Sequence, residues 1–453
     1  MTPLAHGIGG VRDLPVPESF FFSTAAVVLV VSFVLLGALW KRPLLERRAQ
    51  GARLPAALQT VLLSHVFRIV LQAASATLLL VTFAAALLGT TIELLNFAPT
   101  FVYVIFWVGL PILSVALGDV WRVLSPWRAI ADGAVWALER GGREARAILD
   151  APTGLGRYPA AVALLAFVTL ELAYQRPAAP RVLAVAIALY SYWALGGMVV
   201  YGREVWTRQG ESFAVAFSLL ARIAPFAEKN GAVVVRWPLT GLAGAERMPG
   251  TLLLVAVLLG STSFDGFSRT SGWQNLLGNV RADLAGESQR TVDLVLTLVN
   301  LGGLVVFVAA VVLTYGAAVT WSQRLARTDR SLVSDFVFPL VPIAFAYLVA
   351  HYFSLLAIQG QFVVPLASDP FGRGWDLFGT ADFVPNLTIV SPETVWYVQV
   401  IALTLGHVAG LAVAHDRAVA LFRGRADALR SQYPMLALMV LYTVGGLWLL
   451  SQG

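Results

Sequence analysis

Long apolar segments separated by short polar ones dominate this sequence. A helix that crosses the hydrocarbon core of a bilayer needs about 20 mostly apolar residues, and ten segments approach that length. The segments run from Phe20 to Trp40, Leu63 to Gly89, Ala98 to Leu117, Tyr158 to Tyr174, Val182 to Tyr201, Met248 to Phe267, Val292 to Tyr315, Phe336 to Ile358, Val395 to Ala414 and Met435 to Leu450. The pattern predicts an all-α polytopic transmembrane bundle, with residues 1–453 forming a single membrane domain.

The sixth segment is the least regular, because serine, threonine and aspartate interrupt it between residues 261 and 265. A polar break in a span often lines a cavity, so Asp265 is a candidate catalytic residue. Together with the pairs Gly196/Gly197 and Gly302/Gly303, the break would also permit the discontinuous helices of a carrier.

Composition and charge place the chain in a lipid bilayer. Apolar residues make up 58% and charged residues 13% of the sequence, too few charges for a soluble surface of this size. Of the 32 lysines and arginines, 24 fall in alternate loops on one side, seven fall on the other, and Arg68 lies inside the second span. The positive-inside rule then puts both termini outside. Topology explains the basic excess without a nucleic-acid partner, and other membrane subunits remain open as partners.

Two of the inner loops contain apolar residues among arginines, which is typical of helices lying in the membrane interface. After the third span, Ser125 can cap a helix, Pro126 suits its first position and Gly141 can end it. After the fifth span, Ser212 can cap a second such run, which Pro225 ends. We therefore expect interfacial amphipathic helices on the inner face.

The longest outer loop covers residues 359–394 and is rich in glycine, proline, aspartate and aromatic residues. A loop of this length is more often a cap or a lid than a linker. The sequence therefore predicts an ordered outer cap.

His351 and His407 lie inside predicted spans, where polar side chains are costly and commonly functional. At 1.5 Å per residue, His351 is about 22 Å from the inner end of its span and His407 about 12 Å from the inner side. Three interpretations stay open for these candidate catalytic and cofactor-binding residues: neutral histidines bonded across the bundle, haem or metal ligands, or a proton or substrate relay. Cofactors are otherwise unknown; a divalent metal or haem would suit these side chains.

Small residues next to the two histidines predict a close helix pair. Ala346, Ala350 and Ser354 recur every four residues in the eighth span, and Gly406, Gly410 and Ala414 do so in the ninth. Small residues at this spacing let helices approach closely in lipid. We expect these two stripes to face each other.

His415 and Asp416 end the ninth span and form a candidate metal site, with an interfacial anchor as the alternative. His65 and Arg68 are read as anchors, and Glu171 as an acid that meets water-filled space. His6 could bind copper if the mature chain began there, although no signal peptide is visible before Phe20. The chain has no cysteine, which excludes disulfides and thiolate metal sites, and it lacks nucleotide-binding and nucleophile-elbow motifs.

Several segments resemble a family of polytopic membrane proteins, mostly actinobacterial, that is commonly labelled fenitrothion hydrolase. They are AHGIGGVRDLPVPESFFF, LGDVWRVLSPWRAIAD, TSFDGFSRT, LVAHYFSLLAIQGQ, SDPFGRGWDLFGTAD and SPETVWYVQVIALTLGHVAGLAVAHDRA. The resemblance implies a multi-pass protein of the bacterial cytoplasmic membrane that hydrolyses an organophosphate triester. Alternatives from the residues themselves are a small-molecule or metal-ion carrier, or a haem- or copper-binding accessory subunit.

Triester hydrolysis usually uses a metal-bound hydroxide, often between two metals. The five histidines are predicted at different depths, which disfavours a binuclear site. One metal held by carboxylates around Asp265, Asp369 and Asp376 stays open.

Overall fold

The computed structural model describes residues 18–451 and is a bundle of helices. Its first half contains α1 (Glu18–Leu39), α2 (Leu44–Arg47), β1 (Ala52–Arg53), α3 (Ala56–Leu62), α4 (His65–Leu88), α5 (Phe97–Thr100), a π-helix (Phe101–Gly109), α6 (Leu110–Leu117), α7 (Trp121–Leu124), α8 (Pro126–Arg140), α9 (Tyr158–Leu172), α10 (Pro180–Tyr201), α11 (Arg203–Gln209) and α12 (Ser212–Leu220).

The second half contains β2 (Phe226–Lys229), β3 (Ala232–Val235), α13 (Thr240–Ala243), α14 (Thr251–Ser268), α15 (Ser271–Asp283), α16 (Gln289–Leu325), α17 (Leu340–Gln359), α18 (Val363–Ser368), α19 (Pro392–Leu421), α20 (Arg425–Arg430) and α21 (Tyr433–Ser451). Short 3-10 turns cover Glu93–Leu95, Ala221–Ile223 and Gly360–Phe362. The strands form one small antiparallel sheet in the order β1-β3-β2, with Val235 opposite Ala52 and Phe226.

Within residues 18–451, nine helices are long and apolar enough to cross a membrane, so the chain is a multi-pass membrane protein. They match nine of the ten predicted spans, and the all-α bundle is confirmed. The fourth predicted span forms α9, which has only 15 residues. Its two ends still reach opposite faces, because Arg157 N bonds to Pro249 O at 2.7 Å and Arg176 pairs with Asp293 at 3.1 Å.

Hydrogen bonds between loops define the two faces of the bundle. On the cap face, Thr90 N donates to Phe371 O at 2.8 Å and Arg181 donates to Gly89 O at 3.2 Å. On the basic face, Leu54 N donates to Val233 O at 3.1 Å, and this face contains the segments to which the sequence assigns 24 lysines and arginines. The segment from 360 to 391 lies on the cap face as an ordered loop: Gln361 bonds to both the carbonyl and the amide of Asn386.

α14 and α17 lie at the centre of the bundle, since 72% of the residues in the apolar 18-residue stretch of each are buried inside the protein, against 17% for α1 and α4. Their neighbours approach very closely through glycines. A Cβ added at Gly260 on α14 would lie 2.8 Å from the backbone of Val308 on α16. A Cβ at Gly406 on α19 would lie 2.2 Å from Ala346 on α17, which confirms the predicted close contact between the eighth and ninth spans.

Two local expectations about the sixth span and the loop after the fifth are wrong. α14 runs unbroken from Thr251 to Ser268, because Ser261 and Thr262 donate to the carbonyl of Leu258 in their own helix and need no other partner. The run after Ser212 is not interfacial: every residue of α12 except Ser218 is buried. Burial follows from its composition, SFAVAFSLL, in which seven of the nine residues are apolar.

Glu211, and not Ser212, caps α12. Its carboxylate accepts from Phe213 N at 3.2 Å and Ala214 N at 2.7 Å, from Trp121 Nε1 at 3.3 Å, and from the hydroxyl of Tyr190. Burial raises the pKa of Glu211, and these hydrogen bonds oppose the rise. By contrast, the predicted start of α8 is confirmed, since the Ser125 side chain accepts from Arg128 N at the N-cap.

The third span contains a nine-residue π-helix, Phe101–Gly109, in which the amide of Leu110 reaches back to Ile105 O. Pro111 follows directly. A proline has no N–H, and its ring would collide with the carbonyl four residues earlier in a regular α-helix, so the wider turn relieves the clash with Trp107. π-helical turns are rare and frequent at functional sites.

Candidate functional site

Asp265 and His351 meet between the two central helices. Asp265 lies near the cap-face end of α14, and His351 lies three turns into α17. The Oδ2 atom of Asp265 is 2.7 Å from Nε2 of His351, and the two residues are 4% and 7% exposed. The structure therefore joins two of the three candidate catalytic residues in one buried contact.

Tyr352 and Arg269 complete the group, and the sequence prediction had missed both. The Tyr352 hydroxyl donates to Asp265 Oδ2 at 3.0 Å, and Arg269 approaches Oδ1 at 3.3 Å. Arg269 follows Asp265 by four residues, and Tyr352 adjoins His351, so the spacing of ion pairs along a helix could have indicated Arg269. We call Asp265, Arg269, His351 and Tyr352 the Asp265 cluster.

The Asp265–His351 bond can place one proton in two positions. A carboxylate only accepts, so with Asp265 ionised the imidazole donates from Nε2, and the contact at 3.3 Å between this atom and Arg269 is then electrostatic. With the proton on Asp265, the carboxyl donates to a neutral Nε2. This arrangement suits the storage and transfer of a proton.

Glu171 extends the acidic character of the cluster from a third helix. It lies near the cap-face end of α9, and its carboxyl interacts electrostatically with Asp265 and with Trp107 of the π-helix. The charge of Asp265 on α14 and that of Glu171 on α9 therefore influence each other.

His407 lies apart from the cluster. It is fully buried, its Nδ1 bonds to Leu403 O at 2.8 Å in its own helix, and its Nε2 has no partner among the described residues. The nearest aromatic ring is Tyr347, with centroids 6.1 Å apart. A haem held by both histidines would need Nε2 of His351, which already bonds to Asp265. The geometry does not fit a bis-histidine haem.

His415 and Asp416 anchor the basic end of α19 to the start of the chain. His415 bonds through Nδ1 to Gln432 at 3.0 Å and through Nε2 to Trp40 O at 2.9 Å. Asp416 accepts from Trp40 Nε1 and Leu45 N, both at 3.0 Å. Both ring nitrogens of His415 are thus occupied by protein groups, and the geometry favours the anchor over the metal site.

Other candidate ligands are dispersed. Among the described residues, no group of three or more His, Asp or Glu side chains could hold a metal ion. Asp369 accepts from Arg373 N at 2.9 Å and Gly374 N at 2.6 Å, and Asp376 accepts from Ala381 N at 3.0 Å, so both acids shape the cap loop. His65 is exposed at the start of α4, and His6 lies outside the described residues.

Comparison of the chain with family models, curated proteins and solved structures finds no match in any of the three. The chemistry of the Asp265 cluster is therefore the basis for proposing a function.

Proposed function

We propose that the protein is a membrane carrier that couples the movement of a small solute to protonation of the Asp265 cluster. The observation that carries the proposal is the buried 2.7 Å bond between Asp265 and His351, which joins the two central helices. Ionisable groups cost about 2.5–3.5 kcal/mol each at membrane depth on insertion scales, and those that persist commonly relay protons or bind substrates.

Protonation would change how α14 and α17 hold together. When the carboxylate of Asp265 takes up a proton, it loses its charge and its attraction to Arg269, 3.3 Å away. The buried guanidinium then loses the attraction of this carboxylate, which is unfavourable. A proton arriving from the cap face can therefore drive a rearrangement at the contact between the central helices.

Irregular helices beside the cluster support a carrier. The segments flanking α12 both belong to the basic face, so α12 enters the bundle without crossing it, and the π-helix Phe101–Gly109 packs against α17. Carriers commonly build their sites next to such interrupted helices.

The test measures charge movement, because the proton is a probe that requires no knowledge of the solute. Proteoliposomes adsorbed on a solid-supported membrane are exposed to a pH jump, and the transient current is recorded. We expect Asp265→Asn and His351→Gln to abolish the current of the wild type. The control is Asp427→Asn, at a half-exposed carboxylate on the basic face. A wild-type current that survives Asp265→Asn rejects the proposal.

A second candidate is hydrolysis of an organophosphate triester, which the same contact favours. Asp265 would hold His351 as a general base: the imidazole takes a proton from water, the water oxygen attacks phosphorus, and the phosphorus–aryloxide bond breaks. Arg269 could stabilise the charge on the phosphoryl oxygen. The assay is release of the nitrophenol from fenitrothion by purified protein. Turnover equal in wild type and His351→Gln would exclude this role.

We also infer that the basic face is cytoplasmic, because basic loops are retained inside, and the family resemblance favours a bacterial inner membrane. Since the chain has no cysteine, labelling of a single introduced cysteine shows on which side of the membrane that residue lies. A membrane-impermeant maleimide added to intact cells should label Asp382→Cys on the cap and leave Asp427→Cys unlabelled until the cells are opened. The reverse labelling pattern would show that the cap face, and not the basic face, is cytoplasmic.

A further inference from the structure

Three arginines on the basic face lack a carboxylate partner: within residues 18–451, none of the ion pairs includes Arg157, Arg222 or Arg236. We call these three residues the Arg157 group. Arg157 is only 6% exposed, and the other two are partly buried. A buried charge without a counter-charge is costly, so the group requires an explanation.

The hydrogen bonds of the group leave most of its donors unused. Arg157 donates to Thr251 Oγ1 at 3.0 Å, while its Nε is buried with no partner among the described residues. Arg222 donates to Gly241 O at 3.2 Å, and Arg236 donates to Ala224 O at 3.2 Å and to Arg222 O at 3.3 Å. Each guanidinium carries five N–H donors, and every partner found is a neutral oxygen.

Arg222 also repels each of the other two guanidinium groups. Burial first, and then the charge of Arg222, lower the pKa of Arg157 to about 10. The charge of Arg222 likewise lowers the pKa of Arg236, after burial.

Nearby carboxylates only partly offset this charge. Glu246 acts on Arg157 and Arg222 but is bound to Arg208 at 2.5 Å, and Asp119 acts on Arg222 from an exposed position. Two carboxylates thus face four guanidinium groups, including that of Arg208. The site has an excess of positive charge and unused donors.

We propose that the Arg157 group binds the phosphate group of an anionic ligand at the basic face. A phosphate offers several charged oxygens, which match the fixed fork of a guanidinium and form strong charge-assisted bonds. The phosphate can belong to the headgroup of an anionic phospholipid, since Arg157 directly precedes α9 on the basic face, or to a soluble phosphate.

The experiment follows thermal unfolding of the full-length protein in neutral detergent, with chloride matching the ionic strength. One arm adds inorganic phosphate, and the other adds phosphatidylglycerol, with phosphatidylcholine as its uncharged control. We expect one anionic additive to raise the midpoint of the wild type. Arg157→Gln should weaken the apparent affinity at least about tenfold, as expected for the loss of a charge-assisted contact.

The control is Arg146→Gln, which removes a guanidinium that is 81% exposed and paired with Glu144; it should respond like the wild type. Without anion, Arg157→Gln should unfold no earlier than the wild type, because it removes an uncompensated buried charge. If Arg157→Gln does not fold, Arg222→Gln should show the same loss of affinity for the anion. A response to phosphatidylglycerol alone assigns a headgroup, and one to phosphate a soluble ligand. No response, or equal responses in wild type and Arg157→Gln, overturns the proposal.

Discussion

Replacing Asp335 with asparagine should be among the most destabilising single changes on the basic face. Its carboxylate is 3% exposed and lies 2.6 Å from Arg417, 2.7 Å from Arg247 and 3.1 Å from Arg330. These pairs connect α19, the segment before α14 and the segment before α17. Without the carboxylate, three guanidinium groups would remain close together, and among the described residues their one remaining ion pair is with Glu46, 2.8 Å from Arg417.

The magnitude follows from the exposure of the partners. Removing one member of a buried pair costs about 3–5 kcal/mol, and Arg417 is 14% exposed and meets that condition. Arg247 and Arg330 are 39% and 56% exposed, so solvent screens most of their contribution. We therefore expect a loss of about 3 kcal/mol, at the lower end of that range.

The assay is equilibrium unfolding in mixed micelles, with the free energy of unfolding compared at low and high salt. Asp427→Asn is the matched control, since its carboxylate is half exposed and 3.8 Å from Arg430, and it should cost about 0–1 kcal/mol. The effect of Asp335→Asn should persist in high salt because the carboxylate is buried. A loss equal to that of the control would refute this reasoning.

Three further predictions concern packing, pH and metal. Gly406→Ala would place a Cβ 2.2 Å from Ala346 and should cost about 1–3 kcal/mol of unfolding free energy, whereas Gly316→Ala, with nothing within 4 Å, should not destabilise. Burial raises the pKa of Glu211 above 4.5. Its contribution to the free energy of unfolding is therefore complete below that pH and is lost as the pH rises through the folded-state pKa. Glu211→Gln should remove most of this pH-dependent loss of stability when unfolding is measured across pH. Asp416→Ala leaves Trp40 Nε1 without its acceptor and should lower the free energy of unfolding by about 1–3 kcal/mol. A chelator added to the wild type should leave its thermal midpoint unchanged. A midpoint lowered by the chelator would support a metal site at His415 and Asp416.

The spans could be predicted because hydropathy is a local property. Each bilayer crossing must be apolar whatever lies beside it, and the boundaries follow: Val395 to Ala414 was predicted within the observed α19, Pro392–Leu421. The cap at Ser125 was also local, since the serine bonds only three residues along the chain.

The site could be predicted only in part, because it depends on which helices are neighbours. Asp265 and His351 were both candidates, but they are 86 residues apart in the sequence. The sequences of the two spans do not indicate that α14 packs on α17. Arg269 is one of the seven basic residues that the sequence places on the outer side, although it bonds to Asp265 inside the bundle.

α12 shows the opposite failure. Its tryptophan and arginine neighbours indicated an interface, whereas Glu211 satisfies the helix N-terminus inside the protein and allows the whole run to be buried. A charged cap at the start of an apolar run was the available signal.

The proposed carrier requires that Asp265 takes up a proton inside the membrane, and infrared difference spectroscopy can detect this protonation. Spectra of the reconstituted protein at neutral and acidic pH should differ by the carbonyl band of a protonated, buried carboxyl group. We expect Asp265→Asn to remove this band and Asp427→Asn to retain it. A band that is unchanged in Asp265→Asn would assign the proton to another carboxyl group and would contradict the proposed role of Asp265.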